Sequence, residues 1–381
     1  MYEFNAEATF QPHTVTAARL AVDLGIFKAL ALQSPRTAED LRKFALDEMK
    51  VKKVDESFII RTMRLITFYN LAVETAPNTY AANATTLLFG EANSPMESLL
   101  VHMYEQYVPV LDHSISYFAE NGYEMPNDPH KGPFQSYWKT EKTTYDYWVD
   151  EHPQVLQRLS NFMKAVHSEG WYEWMDVPAM MKKHLRQGQD SPMEKGEESR
   201  LLLVDVGGGN GTSLLELRTR LEKAGVKGVL MLQEQESVIA DAVESHPELK
   251  SLANSGSPNV RCLVHDFFEP QPAEAQGALY YYMRHIMHNW NDESCVKILK
   301  QCTAGMRKGY NRLLINERVV KPMGNGLFTV AHDVHMAYSH AARERTLEEF
   351  ENLVGRVGME VVEYHQAEGE GAEDVIECML V

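Results

Sequence analysis

The stretch Leu201 to Leu215, LLLVDVGGGNGTSLL, restricts the possible folds more than any other part of the chain. Four apolar residues lead through Asp205 into Gly207, Gly208 and Gly209, followed by Asn210 and Gly211. An apolar run that breaks in a glycine turn and resumes with Leu214, Leu215, Leu217 and Leu221 at helical spacing predicts a buried parallel strand feeding a helix. A sharp turn needs positive φ, and a bare backbone lets a ligand approach the helix N-terminus. Further strand-like runs follow: VKGVLMLQ, VRCLVHDF, ALYYYMRH, RLLINERVV, MEVVEYH and DVIECMLV. Helical patterns between most of them predict an α/β fold, a doubly wound sheet with helices on both faces. The last two runs are joined by the short loop QAEGEGAED, which has no room for a crossover helix, so that pair is predicted antiparallel.

The N-terminal part reads differently. TVTAARLAVDLGIFKALAL has the period of an amphipathic helix interrupted at Gly25. Thr37 with Asp40 makes a capping box for a second helix through about Leu46, and Asp55 to Tyr69 reads as a third. LAVET and TYAAN around Pro77-Asn78 form a small hairpin, so this region looks like a winged-helix module. Longer helices are expected from Pro95 to Asn121 and from Tyr145 to His167, and the polar run from Arg186 to Ser199 as a surface loop. The domain boundaries that follow are 1–100 (winged-helix-like), 101–185 (helical linker and substrate-pocket region) and 186–381 (catalytic).

A formal net charge of -17 disfavours a polyanionic partner, so the N-terminal module is expected to serve dimer formation and not nucleic acid. No apolar run is long enough to span a bilayer and the N-terminus lacks a signal pattern, so the expected location is cytoplasmic, without membrane association. Cys262, Cys295, Cys302 and Cys378 are scattered without a CxxC pair and read as reduced, structural thiols.

Ligands of doubly wound sheets bind beyond the carboxyl ends of the strands, so the residues ending each strand are the site candidates. After the first strand, glycines stand at 207, 209 and 211, whereas a dinucleotide fingerprint starting at Gly207 needs a small residue at 212, which is Thr. The second strand ends at Glu234, placed to accept ribose hydroxyl protons, with Glu236 as a possible substitute. The third ends in Asp266-Phe267, an acid and an aromatic suited to an adenine amino group and ring face. The fourth ends in Arg284-His285-Ile286-Met287-His288-Asn289-Trp290. A neutral imidazole there can act as general base on a hydroxyl, because its unperturbed pKa of about 6.5 lies near working pH.

Asp205-x-Gly207-x-Gly209-x-Gly211 resembles the first motif of S-adenosylmethionine-dependent methyltransferases. YYYMRHIMHNWNDESCVKIL, RLLINERVV and DVHMAYSHAARERTLEEFENLVGRVGM are similar to the catalytic half of the plant and fungal small-molecule O-methyltransferases of the caffeate type. QPHTVTAARLAVDLGIFKAL resembles that family's dimerisation domain, so the likeness covers nearly the whole chain. It implies a Rossmann-like sheet, S-adenosylmethionine as cofactor, a homodimer and a small hydroxyl-bearing acceptor. His288 falls on the family's catalytic base, with Glu317 and Glu344 on the two carboxylates that orient it. The cofactor contacts map to Asp205, Gly207, Gly209, Gly211, Glu234, Asp266, Phe267 and Arg284, with Trp290 near the adenine. Substrate walls are expected from the helices between about Tyr104 and Trp174, including Trp174, together with Met336 and Ser339.

The chain departs from the family pattern at several positions. Asn289 replaces the usual acid after the base, His285 stands where an apolar or aromatic residue is usual, and Arg284 replaces Lys. Glu234-Gln235-Glu236 replaces Asp-Leu-Pro, and Ala341-Ala342 replaces Gly-Gly. Some fungal relatives of this family catalyse dehydration or pericyclic ring formation without methyl transfer, which stands as the alternative activity. A silent binding partner or winged-helix regulator is a third reading, disfavoured by the charge and by the His288, Glu317 and Glu344 set. His332, His335 and His340 share one stretch, but no carboxylate of clear spacing accompanies them, so no metal is expected and activity should be insensitive to chelators.

Overall fold

The computed structural model describes residues 6–165, 170–187, 199–249, 260–369 and 372–381. The chain forms two compact units, residues 1–123 with 133–168, and residues 124–132 with 169–381.

In the first unit, the helix Ala6–Asp23 stops before Gly25, whose left-handed φ of 66° redirects the chain into the helix Ile26–Leu32. Thr37 caps the helix Ala38–Asp47: its hydroxyl oxygen accepts the Asp40 N–H at 3.2 Å while the Asp40 carboxylate accepts the Thr37 N–H at 3.1 Å. A fourth helix spans Glu56–Phe68. Val73–Ala76 and Thr79–Ala81 pair antiparallel around Pro77-Asn78, and Arg36–Thr37 adds a third, two-residue strand. The helix expected from Pro95 to Asn121 is continuous but widens to π geometry at Met103–Tyr107. Pro109 follows immediately and has no N–H to donate back, a defect that a wider turn absorbs. The stretch expected as one helix from Tyr145 is two, Thr144–Glu151 and Pro153–Ala165. Pro153 disfavours helical ψ at His152, which sits at φ −139°, ψ 56°. The end expected at His167 lies outside the described residues, as does most of the polar run, residues 188–198.

The second unit is built on a seven-stranded sheet: β1 Leu201–Val206, β2 Val229–Glu234, β3 Val260–Val264, β4 Tyr280–Arg284, β5 Arg312–Glu317, β6 Met359–His365 and β7 Asp374–Leu380. Its order is β6-β7-β5-β4-β1-β2-β3, parallel from β5 through β3, with β7 antiparallel to both β5 and β6. The helices α1 Thr212–Lys223, α2 Glu236–Ser245, α3 Asp292–Ala304, α4 Leu327–His340 and α5 Leu347–Gly355 connect these strands.

Period-two alternation sorts the central strands onto two cores. Tyr281, Met283, Leu313 and Ile315 pack with Ile298 and Leu299 of α3 and Phe350 of α5. Tyr280, Tyr282 and Leu314 pack with Leu214 and Leu217 of α1 and with Trp171 and Tyr172. Each such buried side chain contributes about 1.5–3 kcal/mol. Cys295, Cys302 and Cys378 are buried free thiols in the first core, and Cys262 is a half-buried one. β1 lies between β2 and β4, so the chain leaves β1 toward one side and returns on the other. The carboxyl ends of β1 and β4 therefore flank the switch point where open α/β sheets bind ligands.

Candidate active site

The glycine turn leaves β1 with Gly207, Gly209 and Gly211 at φ 70°, 59° and 77°, values that glycine alone adopts without strain. A Cβ on Gly208 would lie 2.5 Å from the Asp205 carboxyl carbon, so the acid is packed beneath the turn. A Cβ on Gly209 would meet nothing within 4 Å, so the outer side of the turn is open. The Glu234 carboxylate closes the turn, accepting the Gly209 N–H at 3.1 Å and the Gln235 N–H at 2.9 Å. Burial raises its pKa against these two donors, while Glu236 is exposed in the first turn of α2. Asp205 is fully buried, which, with Glu234 nearby, pushes its pKa up to about 7 despite the charge of Arg284.

The ends of β3 and β4 meet at an aromatic cluster. Trp290 stands edge-on to Phe267 (ring centroids 6.1 Å apart) and to Phe268 (4.9 Å). Phe267 and Ile286 both lie next to Gly207, near where its Cβ would be. Asp266 accepts the Phe268 N–H at 2.9 Å in a local turn. Arg284 donates from Nε to Glu373 at 2.7 Å. Open glycine backbone, a carboxylate and an aromatic wall make a donor set that fits an adenosyl group carrying a cation.

His288 sits on a single 3₁₀ turn, Met287–Asn289, immediately after β4. Arg345, almost completely buried, pins this turn: it donates to the carbonyls of Met287 and Trp290, both at 2.8 Å, and to Asp292. Glu317 ends β5 and accepts the Met287 and His288 N–H groups at 2.8 and 3.3 Å with Oε1. The His288 Nδ1 lies 3.1 Å from Glu344 Oε1 and 3.7 Å from Glu317 Oε2. Glu344 is held in place by its own N–H, which donates to Asp333 Oδ1 at 3.0 Å. The structure thus brings His288, Glu317 and Glu344 together, buried, from three separate segments.

Burial alone would lower the His288 pKa, but Glu317 and Glu344 outweigh it and raise the value above 6.5. Burial raises Glu317, whereas His288 and His332 overcome the same penalty at Glu344 and hold it well below the carboxylate range. Two carboxyl groups therefore face the imidazole.

Three residues outside the sequence-derived set belong to this cluster. His332 of α4 donates from Nδ1 to the same Glu344 oxygen at 2.7 Å, its ring 5.3 Å from that of His288. Glu373 joins Arg284 and Arg318 to the Nε2 of His285 (2.7 Å). Arg345 is the third, through the turn it pins. Asn289 donates from its side-chain amide to the His285 carbonyl at 2.7 Å, a bond that the usual acid, when ionised, could not make. Met336 and Ser339 are buried on α4, while Trp174 is exposed on the short helix Trp171–Trp174.

Residues 193–360 match the O-methyltransferase domain family. O-methyltransferase penC of Penicillium thymicola is 29% identical over 98% of this chain and 85% of its own length. The demethylsterigmatocystin 6-O-methyltransferase of Aspergillus flavus is 28% identical over 92% of this chain and 82% of its own. Among solved structures, one described as a pericyclic reaction enzyme superposes with a TM-score of 0.83 at 22% identity, covering 98% of this chain and 88% of that one. That last likeness concerns the fold. Residues 193–360 thus carry an O-methyltransferase domain match, and over nearly its whole length the chain is similar to fungal small-molecule O-methyltransferases.

Proposed function

We propose that this protein transfers a methyl group to a hydroxyl of a small aromatic or polyketide-type secondary metabolite, with His288 as general base. The observation that carries the reading is the buried His288–Glu344 contact of 3.1 Å beside the switch point of the sheet. Bound S-adenosylmethionine supplies a methyl group on a sulfonium cation. The glycine turn and Glu234 hold the nucleoside, Phe267 and Trp290 wall its base, and Asp205, beneath the turn, supports the loop. A carboxylate only accepts, so Glu344 fixes the His288 proton on Nδ1 and leaves the Nε2 lone pair to take the acceptor's proton. The imidazolium so formed is stabilised by Glu344, and the base contributes about 10²–10⁴-fold. Holding the acceptor oxygen in line, away from water, supplies most of the remainder. Met336, Ser339 and Trp174 are the proposed acceptor contacts.

We also assign dimer formation to the N-terminal unit, which light scattering at several concentrations tests; a monomer throughout would reject it. The relatives named above are fungal methyltransferases, which supports a metabolite acceptor. The deciding experiment incubates the chain with S-adenosylmethionine and a panel of phenolic and enolic polyketides. One added methyl per S-adenosylhomocysteine is the expected result. His288→Ala should abolish turnover with cofactor affinity nearly intact; lost affinity with residual turnover would reject the assignment.

A second reading, pericyclic or dehydrating chemistry without methyl transfer, is favoured by the two additional imidazoles, His285 and His332, within 5.0 and 5.3 Å of His288. Such a cluster can donate protons to a carbonyl as well as withdraw them. Conversion of substrate with no S-adenosylhomocysteine formed would select this reading.

A further inference from the structure

Two polar atoms in the His288 cluster lie close together without a hydrogen bond between them. His285 Nδ1 and Glu317 Oε2 are 3.7 Å apart, and neither has a hydrogen-bond partner in its buried position. The His285 Nε2 lies 2.7 Å from Glu373 Oε1. A carboxylate can only accept, so the ring proton is on Nε2 and Nδ1 presents a bare lone pair. Glu317 uses Oε1 for two backbone N–H groups, which leaves Oε2, on a residue with no exposed surface, aimed at that nitrogen. A second imidazole nitrogen, His288 Nδ1, lies at the same 3.7 Å from Oε2.

Lone pairs directed at one another from this distance repel, and 3.7 Å is too long for a proton to bridge as a hydrogen bond. A divalent ion can bridge it. Zinc bonds to imidazole nitrogen and carboxylate oxygen are about 2.0–2.2 Å, which in tetrahedral geometry puts neighbouring donors roughly 3.3–3.6 Å apart. One donor atom from each of His285, His288 and Glu317 lies within 4.8 Å of the other two. The Glu373–His285 pair supplies the outer carboxylate that orients most metal-bound histidines. Two imidazoles and one carboxylate suit Zn²⁺, Co²⁺ or Ni²⁺ better than Mg²⁺ or Ca²⁺.

We infer that His285, His288 and Glu317 form a binding site for a divalent transition-metal ion, Zn²⁺ above all, and that its occupation switches the enzyme off. The inhibitory part rests on the proposed role of His288. A neutral imidazole carries one N–H. With the ion on Nδ1, the proton now given to Glu344 must move to Nε2, and Nε2 then has no lone pair to accept the acceptor's proton. The ion adds nothing to turnover, so a chelator does not reduce activity. His285 also takes left-handed backbone (φ 53°), a conformation in which histidine is several-fold enriched, and its N–H donates to the Asn316 carbonyl.

The test uses the full chain, freed of metal with a chelator, and titrates CoCl₂ while recording the visible absorption of the ion. Expected are ligand-field bands of low-coordinate Co²⁺ that saturate at one equivalent and are displaced by ZnCl₂. His285→Asn, which keeps the left-handed backbone accessible, should weaken binding at least tenfold, and Glu373→Gln about 10–100-fold. In the methyl-transfer assay ZnCl₂ should inhibit the wild type, with His285→Asn active and at least tenfold less sensitive. Absent Co²⁺ bands, or bands and Zn²⁺ sensitivity unchanged in both variants, overturn the inference. If His285→Asn does not fold, Glu373→Gln decides alone. The Co²⁺ titration needs no turnover, so a positive titration with no methylated product supports the site and counts against the methyl-transfer reading instead.

Discussion

Glu344→Gln is the sharpest probe of the proposed base. In the wild type one carboxylate oxygen accepts from His288 Nδ1 at 3.1 Å and from His332 Nδ1 at 2.7 Å. The full Coulomb term between a unit charge and an imidazolium at this separation is about 5 kcal/mol at an effective dielectric constant near 20. That is a ceiling, since the net worth of a hydrogen bond to a charged group is about 1.5–3 kcal/mol. Losing about 2–3 kcal/mol of imidazolium stabilisation lowers kcat roughly 30- to 150-fold. An amide that turned its NH₂ toward Nδ1 would add the wrong tautomer to this loss. The pH profile gives an independent signature. His288 acts when neutral, so the rate rises with pH through its pKa, and the two carboxylates place that limb above 6.5. Removing one of them moves the limb to lower pH while the plateau falls. The assay is kcat against pH from S-adenosylhomocysteine release, with calorimetric binding of S-adenosylhomocysteine as the control. A plateau within fivefold of wild type and an unmoved limb would refute the reasoning, as would a loss of cofactor affinity equal to the loss of rate.

Asp205→Asn should make the protein more stable than the wild type at pH 8, and by clearly less at pH 5. The folded pKa of about 7 lies above the ordinary 3.8, so the contribution of this acid to stability is complete below 3.8 and lost as pH rises through 7. The full shift is worth on the order of 4 kcal/mol; melting curves at the two pH values that show no divergence would contradict it. Gly209→Ala should cost only the left-handed strain of about 1–2 kcal/mol, since its Cβ meets no protein atom, yet weaken S-adenosylhomocysteine binding at least tenfold. Gly208→Ala, whose Cβ would strike Asp205 and Leu232, should show the reverse, a large loss of stability. Ala341 sits at φ 51° where the family has glycine, so Ala341→Gly should be neutral or stabilising by up to about 1 kcal/mol in a denaturant titration.

Much of the second unit is legible in the sequence because local signals there agree with the global fold. The glycine turn, the apolar runs and the short loop before the last strand each specify one geometry, and the sheet has it, including the antiparallel end pair. The two helices that differ from expectation fail at prolines, where a single absent donor or a restricted ψ overrides an unbroken apolar period. His332 was hidden for another reason. On the helix it reads with His335 and His340, as a stripe without a carboxylate. Its partner arrives only because Ala341 takes left-handed backbone and Asp333 catches the Glu344 N–H, folding the segment after α4 back onto the helix. No periodicity encodes such a reversal.

Glu373 had a signal that residue-by-residue reading passes over. It lies in an acidic loop, QAEGEGAED, whose composition reads as solvated surface. Yet a strand antiparallel to β5 must begin where β5 ends, and the register pairs Asp374 with Glu317. The residue just before β7 is therefore delivered to the carboxyl end of the parallel strands, beside the catalytic candidates, whatever its loop looks like. Once there, a carboxylate cannot remain buried unpaired, and Arg284, His285 and Arg318 surround it. The direction of the last strand, itself readable from a loop too short for a helix, thus carries a prediction about a side chain that composition alone would send to solvent.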